Sequence, residues 1–270
     1  MKNSTLAQDL ILAEKYGYDY IEIRLDKLKE YLTSHSVEDL VTFFATSRIK
    51  PYSFNALEFI TFRDKAGYAE IIENLDFLCR VGERINCREI IVVPTFDIPD
   101  KTVKEISSES HRVLNDLGDR ASKFGIQLAY EFVGYPNCSV NTFGQCYDIV
   151  SSLNRPDVGM VLDCFHFYAM NSFLEDLRQA DVNKISILHM DDSEDLLPGV
   201  LRDHHRVWPG DGIIPLDQIL AILYNKGFAG MASVELFRPE YWEWDAETTI
   251  RVGKEKTEAV LRRVLQLNSQ

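Results

Sequence analysis

Ile126-Gln127-Leu128-Ala129-Tyr130-Glu131-Phe132 alternates in character, with Ile126, Leu128, Tyr130 and Phe132 forming a large apolar face and Gln127, Ala129 and Glu131 the other. In a parallel barrel the outward side chains of a strand meet helices and the inward ones meet the barrel axis. On that reading Glu131 points inward at the C-terminal end of its strand. Strand-like runs occur at Tyr20–Arg24, Pro51–Leu57, Glu89–Pro94, Ile126–Val133, Gly159–Cys164, Ile185–Met190 and Met231–Phe237, separated by helix-length amphipathic stretches. Ile71, Ile72, Leu75 and Leu78 recur at helical spacing within Glu70–Leu78, and Val103–Leu117 begins a similar pattern before Gly118. Strands alternating with helices imply a parallel sheet. Gly17, Gly125 and Gly227 each stand between a helical pattern and a strand, where tolerance of positive φ suits a helix C-terminal cap.

The predicted fold is α/β, a single (β/α)₈ TIM barrel domain over residues 1–270, a length such barrels commonly occupy. An open doubly wound sheet would carry a glycine-rich phosphate turn after its first strand, and none is present. No linker, low-complexity tract or composition break divides the chain. One strand is short of the full count. Only Met1–Thr5 precedes the helical pattern at Leu6–Tyr16, so the first strand is expected to be missing or vestigial.

Hydrophobic residues at 46% and charged residues at 26% are ordinary for a folded protein with a sizeable core. The 29 basic against 42 acidic residues give a net charge of −13, which repels nucleic-acid phosphates and anionic membrane surfaces. No apolar run reaches the roughly 20 residues of a membrane span, and the polar opening lacks a signal-peptide core, so a cytoplasmic location is expected. The five cysteines, Cys79, Cys87, Cys138, Cys146 and Cys164, are scattered without a Cys-x-x-Cys pair, which points to reduced, buried thiols.

The count that turns Glu131 inward can be repeated. In Gly159-Met160-Val161-Leu162-Asp163 it sends Met160 and Leu162 outward and Asp163 inward, and in Ser233-Val234-Glu235-Leu236 it turns Glu235 inward. His189 closes Ile185-Ser186-Ile187-Leu188-His189, where both faces are apolar and the pattern alone does not fix its direction. Each acid taken singly reads equally well as a solvated strand-end residue. Several strand ends together do not, because converging buried carboxylates repel one another unless a cation neutralises them. One divalent metal, Mn, Zn, Co, Fe or Mg, answers that need, and a set of three carboxylates with one imidazole does not choose among these. Glu22 and Arg24 share a face of Tyr20–Arg24 and are expected to form an ion pair inside the barrel.

Glu131-Phe132-Val133-Gly134, Val161-Leu162-Asp163-Cys164-Phe165-His166, His189-Met190-Asp191-Asp192, Arg206-Val207-Trp208-Pro209-Gly210-Asp211-Gly212 and Ser233-Val234-Glu235-Leu236-Phe237-Arg238-Pro239 form a series. It resembles the xylose-isomerase-like barrel superfamily and, within it, the inosose isomerases of inositol catabolism, from about Tyr16 to near the C-terminus. The resemblance implies that Glu131, Asp163, His189 and Glu235 bind the metal and that His166 and Arg206 touch the substrate. It implies a metal-dependent isomerase that converts 2-keto-myo-inositol to 1-keto-D-chiro-inositol through an enediol, with Glu131 or Glu235 as the base. Trp208 is expected to form a wall of the pocket, while Tyr241, Trp242 and Trp244 read as packing aromatics. The partner expected is a small polyol or ketose, with a homo-oligomer compatible and neither nucleic acid nor membrane involved.

Competing readings use the same barrel. A ketose 3-epimerase would need the same four ligands and two opposed glutamates. An endonuclease-IV-like nuclease would need many more strand-end histidines than six allow, and would suit a basic rather than an acidic chain. A non-catalytic sugar-binding protein would have no need of the full ligand set.

Overall fold

The strand-like runs form one sheet in a computed structural model that describes residues 3–98 and 100–268. The elements are, in chain order, α1 (Leu6–Lys15), β1 (Tyr20–Arg24), α2 (Leu25–Tyr31), α3 (Val37–Thr46), β2 (Lys50–Leu57), α4 (Lys65–Ile85), β3 (Glu89–Val92), α5 (Val103–Ala121) and β4 (Gln127–Glu131). They continue with α6 (Phe143–Leu153), β5 (Val158–Asp163), α7 (Cys164–Ala169), α8 (Leu174–Gln179), β6 (Ile185–Met190), β7 (Asp192–Ser193), β8 (Arg206–Val207), α9 (Leu216–Asn225), β9 (Met231–Val234), α10 (Pro239–Trp242) and α11 (Ala246–Asn268). Seven strands pair in the order β1-β2-β3-β4-β5-β6-β9, every pair parallel, giving a nearly closed barrel. The short β7 and β8 pair separately as an antiparallel ribbon.

The alternation counted along the strands divides the interior into two apolar bodies. Leu128, Tyr130, Met160, Leu162, Leu188 and Met190 face outward into the layer between strands and helices. Ile91, Ala129, Val161, Ile187 and Met231 face the axis and fill the barrel. The direction of His189, open on pattern alone, is set by an irregularity in the β5–β6 register between Met160 and Val161. It lets Ile185 pack outward and Ile187 inward although they are two apart, so His189 follows Ile187 to the axis.

Gly17, Gly125 and Gly227 adopt φ of 77°, 65° and 77°, as the cap reading requires. α5 runs on past Leu117 through Gly118 to Ala121, and position 118 is a glycine where a Cβ would fall 2.9 Å from Arg155 Nη2. At the N-terminus, Met1 and Lys2 lie outside the described residues. Thr5 caps α1, its side chain accepting from the Gln8 N–H while Gln8 returns the bond to the Thr5 N–H at 3.0 Å. The two end strands of the sheet, β1 and β9, are the more exposed ones. Across that gap α11 docks on α1: Lys15 and Tyr16 both bind Glu247 at 2.5 Å, and the Tyr18 hydroxyl donates to the Ile250 carbonyl at 2.9 Å. Among the described residues no helix is long and apolar enough to cross a membrane.

The loop from β8 to α9 is held by one side chain. Asp192 is 1% exposed, and its carboxylate accepts from the backbone N–H groups of Ser193, Gly210, Gly212 and Ile214 at 2.8–3.0 Å. Asp192→Ala leaves these donors without their acceptor, and each unsatisfied group costs roughly 1–3 kcal/mol. The expected loss of unfolding free energy in a denaturant titration is at least about 2 kcal/mol, with Asp192→Asn intermediate. Equal stability of all three proteins would show that the turn does not depend on this carboxylate.

Candidate functional site

Four strand ends in a row place Glu131 (β4), Asp163 (β5), His189 (β6) and Glu235 (just past β9) about one point at the C-terminal mouth. One donor atom from each lies within 4.8 Å of all the others. His189 Nδ1 is the hub: it stands 3.0 Å from Glu131 Oε1, 3.3 Å from Glu235 Oε2 and 3.7 Å from Asp163 Oδ2. Asp163 and His189 are fully buried and Glu131 nearly so. Three carboxylate oxygens and one imidazole nitrogen, converging in a site screened from water, are a donor set that fits a divalent transition metal.

Burial and mutual charge set the protonation of the site. Burial pushes the Glu131 carboxyl up to about 7, against the opposing pull of His189. Burial acts on Glu235 in the same sense, but His189 and Arg206 outweigh it and hold that carboxyl at about 2. For His189 burial disfavours the cation, yet Glu235, Glu22 and Glu131 together raise it well above the usual imidazole range.

Arg206, on β8, is the largest fully buried side chain and braces one side of the cluster. Its Nη1 donates to Asp163 Oδ2 at 2.8 Å and to Asp191 Oδ2, and stands 3.5 Å from Glu235 Oε2. Its Nε donates to Asp203 at 3.2 Å. Arg206 Nη2 lies 3.0 Å from His166 Nε2, and because a guanidinium can only donate, Nε2 must accept. The ring proton is thereby assigned to Nδ1, a buried atom for which no protein acceptor is recorded. Burial and Arg206 together lower the basicity of His166, with Asp163 opposing, in keeping with a neutral ring. Asp163 also accepts from the His166 N–H at 2.6 Å, so this ligand position caps α7 and fixes where His166 begins.

Trp208 is 4% exposed and stacks on Tyr241 at 4.7 Å between ring centroids, with Trp244 at 6.0 Å. The ring also lies beside Gly253, where an added Cβ would fall 3.3 Å from its Cζ3. The expected ion pair of Glu22 with Arg24 is not formed. Arg24 lies at the N-terminus of α2 and binds Asp26 at 3.0 Å, while Glu22 accepts from Ser53 Oγ at 2.7 Å and stands 3.2 Å from His189 Nε2.

Asp191 and Asn55 take part in the site without having been assigned a role. Asp191 follows His189 by two residues and so shares its face; extending the strand count would have found it. It is fully buried, accepts from the Phe165 N–H at 2.7 Å and shares Arg206 with Asp163. Of the two carboxylates, Asp163 is held well below the usual range, burial being outweighed by Arg206, whereas burial and the charge of Asp163 drive Asp191 well above it. Asn55 donates to Glu235 Oε1 at 3.0 Å from the irregular part of β2, where no alternation can be counted. A surface groove of about 1050 Å³, lined by Asp97, Val103, Ile106, Asn141 and Asp148 among others, contains none of the four donors.

Comparison with known proteins fits this geometry. The family model described as xylose isomerase-like TIM barrel matches residues 10–259. The chain belongs to that family. It is 47% identical over 270 residues to the inosose isomerase of Halalkalibacterium halodurans, covering 100% of this chain and 96% of the relative. The inosose isomerase of Bacillus subtilis is 46% identical over 268 residues, 99% of this chain and 96% of its own. Among solved structures, the IolI protein with a bound zinc atom superposes with a TM-score of 0.95 at 47% identity, covering 97% of this chain and 95% of that one.

The carboxylates around His189 favour its protonated ring and burial pushes Glu131 up to about 7, so a metal taken up by these atoms would displace protons. Metal binding is therefore expected to release at least about one proton near pH 7 and to tighten as pH rises between about 6 and 8. Calorimetric titration in buffers of different ionisation enthalpy measures both. A dissociation constant independent of pH would contradict the protonation described.

Proposed function

We propose that this protein is an inosose isomerase, moving the carbonyl of a cyclic polyol ketone to the adjacent carbon and converting 2-keto-myo-inositol to 1-keto-D-chiro-inositol. The observation that carries the reading is the buried cluster of Glu131, Asp163, His189 and Glu235 at the barrel mouth, in a chain similar over its full length to inosose isomerases. The four would hold one divalent metal, which when bound supplies Lewis acidity toward the oxygens of the reacting carbons.

In the reaction a proton leaves the carbinol carbon beside C=O, its electron pair forms a C=C bond, and the carbonyl oxygen takes up a proton to give the enediol. A proton is then delivered to the former carbonyl carbon, while the neighbouring hydroxyl loses its own and becomes the new carbonyl. Glu131 and Glu235 lie on β4 and just past β9, flanking the strands that carry Asp163 and His189, so a substrate across the mouth has a carboxylate on each side. One takes the proton and either can return it. Glu131, pushed up to about 7, exchanges a proton readily near neutral pH. His166 offers a neutral Nδ1–H to the oxygen that gains charge, and Arg206 fixes that tautomer while countering the charge. Trp208 lies two residues beyond Arg206 and stacks on Tyr241.

Glu131→Gln and Glu235→Gln are each expected to lower kcat by about 10²–10⁴-fold and to abolish solvent deuterium incorporation into the substrate. Retained exchange in both variants would remove the glutamates from the proton path. A ketose 3-epimerase would use the same residues. Assaying inosose beside a panel of ketoses with added Mn²⁺ separates the two, with inosose turned over preferentially; preference for an open-chain ketose would reverse the assignment.

A further inference from the structure

Among the described residues, Glu22 is the carboxylate within ion-pair distance of His189 that the four-donor cluster leaves out. The His189 ring presents Nδ1 to Glu131, Asp163 and Glu235, which leaves Nε2 on the opposite edge, buried and without a hydrogen bond of full geometry. Glu22 Oε1 stands 3.2 Å from that atom. Its other oxygen, Oε2, accepts from Ser53 Oγ at 2.7 Å, and Ser53 is both fully buried and the register partner of Glu22 on the neighbouring strand. The carboxylate is thus anchored on one side and presents its free oxygen to the histidine on the other.

From this placement we propose that Glu22 is a positioning residue for the metal centre: it accepts the Nε2–H of His189, fixes that tautomer and so directs the Nδ1 lone pair toward the carboxylate cluster. The inference rests on the reading of Glu131, Asp163, His189 and Glu235 as metal ligands. An imidazole can ligate through only one nitrogen while the other bears the proton, and an anionic acceptor behind the ring selects which is which and raises the donor strength of the ligating atom. Without Glu22 the ring is free to place its proton on Nδ1, where Glu131 accepts it at 3.0 Å, and the donor is lost to the cluster. The sequence placed Glu22 inside the barrel; the structure assigns its partner.

Zn²⁺ affinity of the wild type, Glu22→Ala and Glu22→Gln, together with ¹H–¹⁵N spectra of the His189 ring in the zinc-loaded protein, tests the proposal. Glu22→Ala is expected to weaken Zn²⁺ binding by about 10–100-fold. Glu22→Gln keeps a carbonyl acceptor and is expected to stay within a few-fold of wild type, which separates positioning from the simple loss of a negative charge near a cation. The wild-type spectrum is expected to show the proton on Nε2. Equal weakening in both variants, or Glu22→Ala binding as tightly as wild type, would overturn the role of Glu22 while leaving the ligand set intact. A wild-type spectrum with the proton on Nδ1 would overturn it without recourse to any variant. A wild-type protein that binds no Zn²⁺ would overturn the ligand reading and this inference with it.

Discussion

Like charges brought together out of water are the condition the rest of this molecule answers. Glu131, Asp163, Glu235 and Asp191 turn toward one end of the barrel axis with Glu22 beside them, and burial penalises the ionised form of the first four. His189 and Arg206 are the buried cations that oppose this, each touching several carboxylates at once. His189 and Arg206 are outnumbered by the carboxyl groups they touch, which leaves a site with a remaining demand for positive charge. A divalent cation would meet that demand, and with it in place a substrate oxygen that becomes negative during reaction would be stabilised as well.

The apolar layers exist, in functional terms, to make this convergence rigid. Ile91, Ala129, Val161, Ile187 and Met231 plug the barrel below the polar groups, so those groups stand on a packed floor. Strand pairing then sets their spacing: Asp163 lies opposite His189 in the β5–β6 register, and Glu131 is carried on the adjoining strand. The loop bearing Arg206 is not part of the barrel sheet. It is brought in by the β7–β8 ribbon and by the bonds that Asp192 makes to the Pro-Gly-Asp-Gly turn. Neighbouring aspartates therefore do different work, Asp191 holding the guanidinium and Asp192 the backbone beyond it.

Much of this could be read from residue order because a parallel strand has a strict two-residue period. Glu131, Asp163 and Glu235 each end a run in which the alternation is unambiguous, and each turns inward as counted. His189 was less legible, since Ile185 and Ile187 are equally apolar and only the β5–β6 irregularity decides which faces the axis. The ion pair expected of Glu22 and Arg24 failed for a related reason. Two residues on one face of a strand need not meet when the second also begins a helix, and Arg24 follows α2 to Asp26. Asn55 was invisible because β2 is irregular where it lies, and the stacking of Trp208 on Tyr241 because a two-residue strand gives no period to count. For His166, only the bond from Arg206 tells which ring nitrogen is free to donate.

Diffraction from crystals of this chain soaked in Mn²⁺ or Zn²⁺, recorded at the absorption edge of the metal, tests the central claim most directly. A single strong anomalous peak is expected between the carboxylates of Glu131, Asp163 and Glu235 and the Nδ1 atom of His189. A peak elsewhere, or side chains of these four turned away from one another toward the helices, would contradict the account.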